Sequence, residues 1–171
     1  MPIQRLNHAV LYVRDVAASV AFYTEVLGFR PIVEMPGQAA FLLAPGSTND
    51  HDLGLFQIGA DAGPSGAGGS TVGLYHLAWE VDTLGELKRL REALLQAGSL
   101  VGESDHSTTK ALYAKDPDGL EFEVCWIVPV DRLTEDVIAG RSRIGRLDLD
   151  AEIARYGAET RGLGAPVPAA T

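Results

Sequence analysis

Apolar and polar positions alternate with a period of two in two short stretches, and each alternation then gives way to a helical period. Between Leu6 and Val13, the residues Ala9, Leu11 and Val13 share one face, and His8, Val10 and Tyr12 share the other. Between Leu74 and Val81, Tyr75, Leu77, Trp79 and Val81 alternate with His76, Ala78 and Glu80. Asp15 can cap a first helix in which Val16, Val20, Tyr23 and Leu27 recur at helical spacing, with Gly28 as its stop. Thr83 and Glu86 form a capping-box pattern ahead of Leu84, Leu87, Leu90 and Leu94, and Gly98 ends that helix. The segments 6–28 (LNHAVLYVRDVAASVAFYTEVLG) and 74–98 (LYHLAWEVDTLGELKRLREALLQAG) are thus an internal repeat, each opening with a strand that carries His at its third residue. The more apolar strand face is expected to pack on the helix. The His face then points into the concave side of a sheet.

Strand-like segments follow each helix, roughly 29–35, 38–44 and 51–58 after the first and 99–103, 109–115 and 120–128 after the second. The pattern predicts an α+β chain with the order βαβββ occurring twice. The modules span 1–58 and 74–128 within one domain, joined by a Gly- and Ser-rich linker at 59–73. Residues 129–171 lie outside the repeat, with a short helix expected near 150–156 and disorder over the last dozen Gly-, Ala- and Pro-rich residues.

The last hairpin carries the most chemistry. Asp116-Pro117-Asp118-Gly119 is a strong turn in which Gly takes the left-handed position, and it pairs Tyr113 with Glu123. Beyond it, Glu121, Glu123 and Cys125 face one way, while Phe122, Val124 and Trp126 face the other as a core side. Two carboxylates on one face in an apolar setting require compensation, because an unpaired buried carboxylate is costly. A metal ion supplies it. With His8 and His76 at equivalent repeat positions, two His and one carboxylate make the facial triad of non-haem Fe(II) oxygenases. Spacing leaves Glu121 and Glu123 both open as the carboxylate. Cys125 reads as a small buried hydrophobe.

Charge narrows the partners. The 171 residues carry a net charge of −9, which repels nucleic acid and anionic membranes. No apolar run approaches the ~20 residues of a bilayer span, and the N-terminus lacks the apolar region of a signal peptide, so a cytoplasmic location is expected. The single Cys125 has no partner for an internal disulfide.

The paired modules, together with Tyr113-Ala-Lys-Asp116-Pro-Asp-Gly119-Leu-Glu-Phe-Glu123, resemble the vicinal oxygen chelate superfamily, which includes glyoxalases, bleomycin-resistance proteins and extradiol dioxygenases. The resemblance spans roughly residues 4–128 and implies a half-barrel around a metal held by His8, His76 and Glu123. Leu120 stands where the family often has Asn. Three further stretches resemble type I extradiol dioxygenases. They are His51-Asp52-Leu53-Gly54-Leu55-Phe56, Asp105-His106 with Tyr113, and Leu147-Asp148-Leu149-Asp150 in the tail.

That resemblance implies His51, His106 and Tyr113 as active-site residues, Fe(II) or in its place Mn(II), and a catecholic aromatic cleaved with O2. It also implies self-association as a homo-oligomer. Read from the residues alone, His51 between two aspartates is equally a solvated loop residue. His106 lies in a polar stretch, and a strand Tyr such as Tyr113 is ordinarily core. The rival within the family is a glyoxalase- or epimerase-like enzyme. It would use Zn(II) or Ni(II), with Asp52 or Gln57 as a fourth ligand. A third class is a small-molecule binding or resistance protein lacking the complete triad.

Overall fold

The structure is a computed structural model that describes residues 2–3, 5–68 and 70–164. Its contacts divide it into two units, one comprising Met1–Gly66 with Asp116–Gly119, the other Ala67–Lys115 with Leu120–Thr171.

The first unit holds β1 (Ala9–Val13), α1 (Val16–Glu25), β2 (Arg30–Met35), β3 (Ala39–Leu43) and β4 (Leu53–Gln57). The strands form one open sheet in the order β1-β4-β3-β2. β1 and β4 run parallel, and the other pairs are antiparallel. The Asp15 carboxylate caps α1 as expected, accepting from the Ala17 and Ala18 amides. Strand alternation sorts the faces. Leu11, Val13, Leu42, Leu53 and Leu55 are buried, each worth about 1.5–3 kcal/mol as an apolar side chain removed from water. The opposite face leaves Val10, Tyr12, Val33, Met35 and Phe56 exposed.

The second unit repeats the order with β5 (Leu77–Glu80), α2 (Leu84–Gln96), β6 (Leu100–Asp105), β7 (Thr109–Lys115) and β8 (Glu121–Ile127). Its sheet has the order β5-β8-β7-β6, with β5 and β8 parallel. The four leucines at 84, 87, 90 and 94 are the buried stripe of α2. Thr83 Oγ1 accepts from the Glu86 amide as the capping pattern predicts, while the Glu86 carboxylate is forked onto Arg89.

After β8 come a 3-10 turn at Val130–Arg132, α3 (Glu135–Gly140) and α4 (Leu149–Tyr156), the last close to the expected 150–156 helix. α4 lies on α2, and Tyr156 packs at a tilt against Trp126 with ring centroids 5.4 Å apart. The disorder expected over the last dozen residues does not hold for 160–164. There Gly162 is buried, Leu163 donates to Ile127 O, and Thr160 O accepts from Trp126 Nε1. Residues 165–171 lie outside the described residues.

The chain is therefore α+β, with strand, helix and three strands occurring twice. One detail differs from expectation. His8 and His76 stand on the residue before β1 and β5 rather than inside them. Alternation runs one residue further than the ladder hydrogen bonds do. Among the described residues, no helix is long and apolar enough to cross a membrane.

Candidate functional site

The Asp-Pro-Asp-Gly turn sets the second unit's open face. Gly119 adopts φ +81°, and Asp116 Oδ1 accepts from the Asp118 amide at 2.9 Å. The resulting register pairs Tyr113 with Glu123 across β7 and β8, and Ala78 with Glu123 across β5 and β8. Ladder parity then places Tyr113, Glu121, Glu123 and Cys125 on one face.

His76, at the entrance to β5, puts Nε2 3.2 Å from Glu123 Oε2, and both side chains are largely shielded from solvent. Two ligand atoms bound cis to one ion at ~2.1 Å lie about 3.0 Å apart. An imidazole nitrogen and a carboxylate oxygen at this separation suit a borderline divalent cation. His76 Nδ1 is buried without a hydrogen-bond partner, so the ring's polar contact is the one Nε2 makes with Glu123. Glu121, the other carboxylate of this face, is engaged instead by the Tyr75 hydroxyl, which that bond holds above its ordinary pKa.

Tyr113 lies beside this pair. Its ring centroid is 5.8 Å from that of His76, and its hydroxyl meets His106 Nε2 at 2.9 Å. Burial, then the negative charge of Glu123, pushes the Tyr113 phenol up, so at neutral pH it holds its proton. The Cys125 thiol is pushed up to about 12, first by burial and then by Glu123 and Glu80. It is neutral and buried, the small hydrophobe the sequence suggests.

The first unit gathers a separate cluster. His8 and His51 lie with ring centroids 4.3 Å apart, and Phe41 meets His51 edge-on at 5.1 Å. Asn7 Oδ1 accepts from His8 Nδ1 at 2.8 Å, which leaves Nε2 as the free lone pair. Asp50 Oδ2 does the same for His51 Nδ1 at 2.9 Å, which turns its Nε2 away from that bond. Asn49 ties this cluster together, donating to Asn7 O at 2.7 Å and to Asp52 Oδ1 at 2.7 Å.

Asn7 and Asn49 carry no signal in the sequence beyond lying one residue before His8 and two before His51. Asp52 also accepts from the Ala44 amide and the Ser47 hydroxyl, and Gln57 Oε1 accepts from the Val16 amide. The two fourth-ligand candidates are thus both committed to the fold. Within neither unit, among the described residues, do three His, Cys, Asp or Glu side chains form a group able to hold a metal. The second unit offers two ligands.

A profile of the Glyoxalase/Bleomycin resistance protein/Dioxygenase superfamily matches residues 5–124. The chain belongs to this superfamily. Its relatives include a catechol-2,3-dioxygenase of Bacillus subtilis, 30% identical over 122 residues, covering 70% of this chain and 40% of that protein. Biphenyl-2,3-diol 1,2-dioxygenase 3 of Rhodococcus globerulus is 33% identical over 129 residues, covering 70% of this chain and 62% of that protein. The chain thus spans less than two thirds of the length of these curated relatives. The crystal structure of a glyoxylase/bleomycin resistance protein/dioxygenase domain from Frankia sp. EAN1pec superposes with a TM-score of 0.59 at 25% identity, covering 72% of this chain and 92% of that one. As a superfamily member, the chain presents the matched region across both βαβββ modules, with all four of its histidines and Glu123 inside it.

Proposed function

We propose that this protein is a metal-dependent extradiol ring-cleavage dioxygenase acting on a catecholic aromatic with O2. The observation that carries the reading is the paired set on the second unit's open face, His76 with Glu123 and Tyr113 with His106. The two curated dioxygenases among its relatives agree with it. In this reading His76 and Glu123 bind the metal, and His8 of the first unit is the third ligand. Fe(II), or Mn(II) in its place, supplies the redox centre and the positions at which a catecholate and O2 are held together.

The chain's own residues do the rest. The Tyr113 hydroxyl, protonated at neutral pH, donates to a substrate oxygen, and when its proton passes there His106 Nε2–H replaces it. His51, oriented by Asp50, accepts the proton of the second substrate hydroxyl at Nε2. A lyase or isomerase reading needs a fourth protein ligand, and the engagement of Asp52 and Gln57 in fold-holding bonds weighs against it.

The deciding experiment is anaerobic purification, loading with Fe(II), measurement of bound metal, then addition of O2 with a panel of catechols. One iron per chain, with O2 uptake and a yellow ring-cleavage product lost in His76→Ala, is the expected result. Tight metal binding without O2 uptake on any catechol would overturn the dioxygenase reading in favour of an isomerase-type activity with Zn(II) or Ni(II).

A further inference from the structure

His106 sits at the tip of the β6–β7 hairpin, in a loop of only three residues, and its local backbone is unusual. The Thr108 amide donates to His106 O at 2.8 Å, and the residue between them, Ser107, has φ +66°. Ser107 is the one non-glycine residue with positive φ among the described residues. An i to i+2 bond around a positive-φ centre is a γ-turn of the strained hand. Such a conformation persists only where its surroundings over-determine it, and it concentrates at functional sites.

The surroundings that hold it come from beyond β8. Ser107 Oγ donates to Val137 O of α3 at 2.8 Å, and Gly140 of the same helix lies so close that an added Cβ would stand 2.5 Å from Ser107 Oγ. Asp105, on the other flank of His106, exchanges two backbone hydrogen bonds with Gly145, at 2.9 and 2.8 Å. The Asp105 carboxylate accepts from the Ser107 amide at 2.7 Å and from Lys110 Nζ at 2.6 Å. Lys110 is only 1% exposed, and its second counter-ion is Glu152 of α4 at 2.9 Å. A lysine buried to this degree requires its partners, because removing one leaves a charge uncompensated in low dielectric.

We propose that residues 130–156 position His106. Val137, Gly145 and Glu152 fix the γ-turn from three sides, so that His106 Nε2 is held on the Tyr113 hydroxyl. Asp105, Ser107, Lys110 and Glu152 are positioning residues in this assignment. The reactive roles of His106 and Tyr113 rest on the dioxygenase reading, but their mutual placement does not. The extension lies outside the region matched by the superfamily profile, which ends at residue 124.

The test uses the full-length protein carrying Ser107→Ala, Glu152→Gln, or Tyr113→Phe as the reference for a lost hydrogen bond. The first readout is the His106 imidazole 15N resonance, assigned by its absence from His106→Ala. The expected result is that Ser107→Ala and Glu152→Gln move the His106 Nε2 signal toward its Tyr113→Phe position, while His8 and His51 signals stay in place.

The second readout is turnover. kcat is expected to fall roughly ten- to a hundredfold with KM little changed, and neither variant should lower kcat further in a His106→Ala background. An unmoved His106 resonance with unchanged kcat and a lowered melting temperature would overturn the assignment, showing the contacts to be structural alone. Should the protein turn over no catechol, the dioxygenase reading fails while the resonance shift still decides this one. Ser107→Ala removes one hydroxyl from a turn and carries the test alone if Glu152→Gln fails to accumulate.

Discussion

The outer partners of the histidines are as informative as the histidines themselves. Asn7 fixes which nitrogen of His8 is free, and such a neighbour typically contributes ten- to a hundredfold to metal affinity. Asn7→Ala is expected to weaken Fe(II) binding about tenfold, read by equilibrium dialysis, and unchanged affinity would remove His8 from the ligand set. His51→Ala should behave differently, slowing turnover while leaving stoichiometric iron. Equal loss of both would contradict its assignment to proton handling.

A third prediction concerns Tyr23, whose hydroxyl donates to Asp116 at 3.3 Å. Burial, then the Asp116 charge, raises its pKa well above the ordinary tyrosine value. The folded chain keeps this proton where the unfolded chain releases it. The contribution is therefore complete below about pH 10, the unfolded value, and stability falls as pH rises above it. Tyr23→Phe should cost about 1 kcal/mol at neutral pH and flatten that alkaline decline. A thermal melting series from pH 8 to 11 would show both, and an equally steep decline in the variant would refute the cause.

At the level of elements, period and punctuation in the sequence locate nearly everything regular. The leucine stripe of α2 and its Thr83 cap stand where the pattern places them, and so do α1 and its Asp15 cap. The Tyr113–Glu123 register follows from the turn chemistry of Asp116 to Gly119. α3 and the 3-10 turn escaped, because six and three residues are too few to show a period. The γ-turn at Ser107 escaped because serine is not a residue that announces positive φ.

Lys110 misleads in the other direction. Strand alternation puts it on the buried side, and composition gives no sign that Glu152 lies waiting for it. The two α2 features differ in what they hold, and their removal should differ accordingly. Thr83→Ala is expected to destabilise by about 1 kcal/mol, and Leu87→Ala, at a fully buried position, by about 2–5 kcal/mol. Denaturant melts that rank them the other way would mean that α2 is held by its end rather than by its stripe.

For the molecule as a whole, the repeat explains why two similar sheets arise, and the net charge of −9 agrees with a small-molecule rather than a nucleic-acid partner. What the repeat does not explain is residues 129–171. These supply the acceptor for Trp126, the ring that packs on it and the second counter-ion of Lys110. A chain ending at Pro129 would leave Lys110 half-neutralised and uncover its cross-strand neighbour Trp126. Such a truncation is expected to aggregate or to unfold well below the intact protein's melting temperature. Size-exclusion chromatography and circular dichroism would check this, and a soluble truncation of unchanged melting temperature would refute it.

The first unit draws one of its parts from far along the chain. Arg14 is bound by Asp118 through its amide and its guanidinium, at 3.0 and 2.8 Å, and Tyr23 by Asp116. These partners follow 104 and 93 residues later. Domains otherwise tend to mature in the order of synthesis, but here the ribosome has read past Gly119 before the N-terminal unit has its full complement. Until then the nascent chain carries a sheet and a helix whose Arg14 and Tyr23 await their acidic partners. The last residues to complete the first unit are therefore made immediately before Glu123, while the second unit still waits for Glu152, Tyr156 and Thr160.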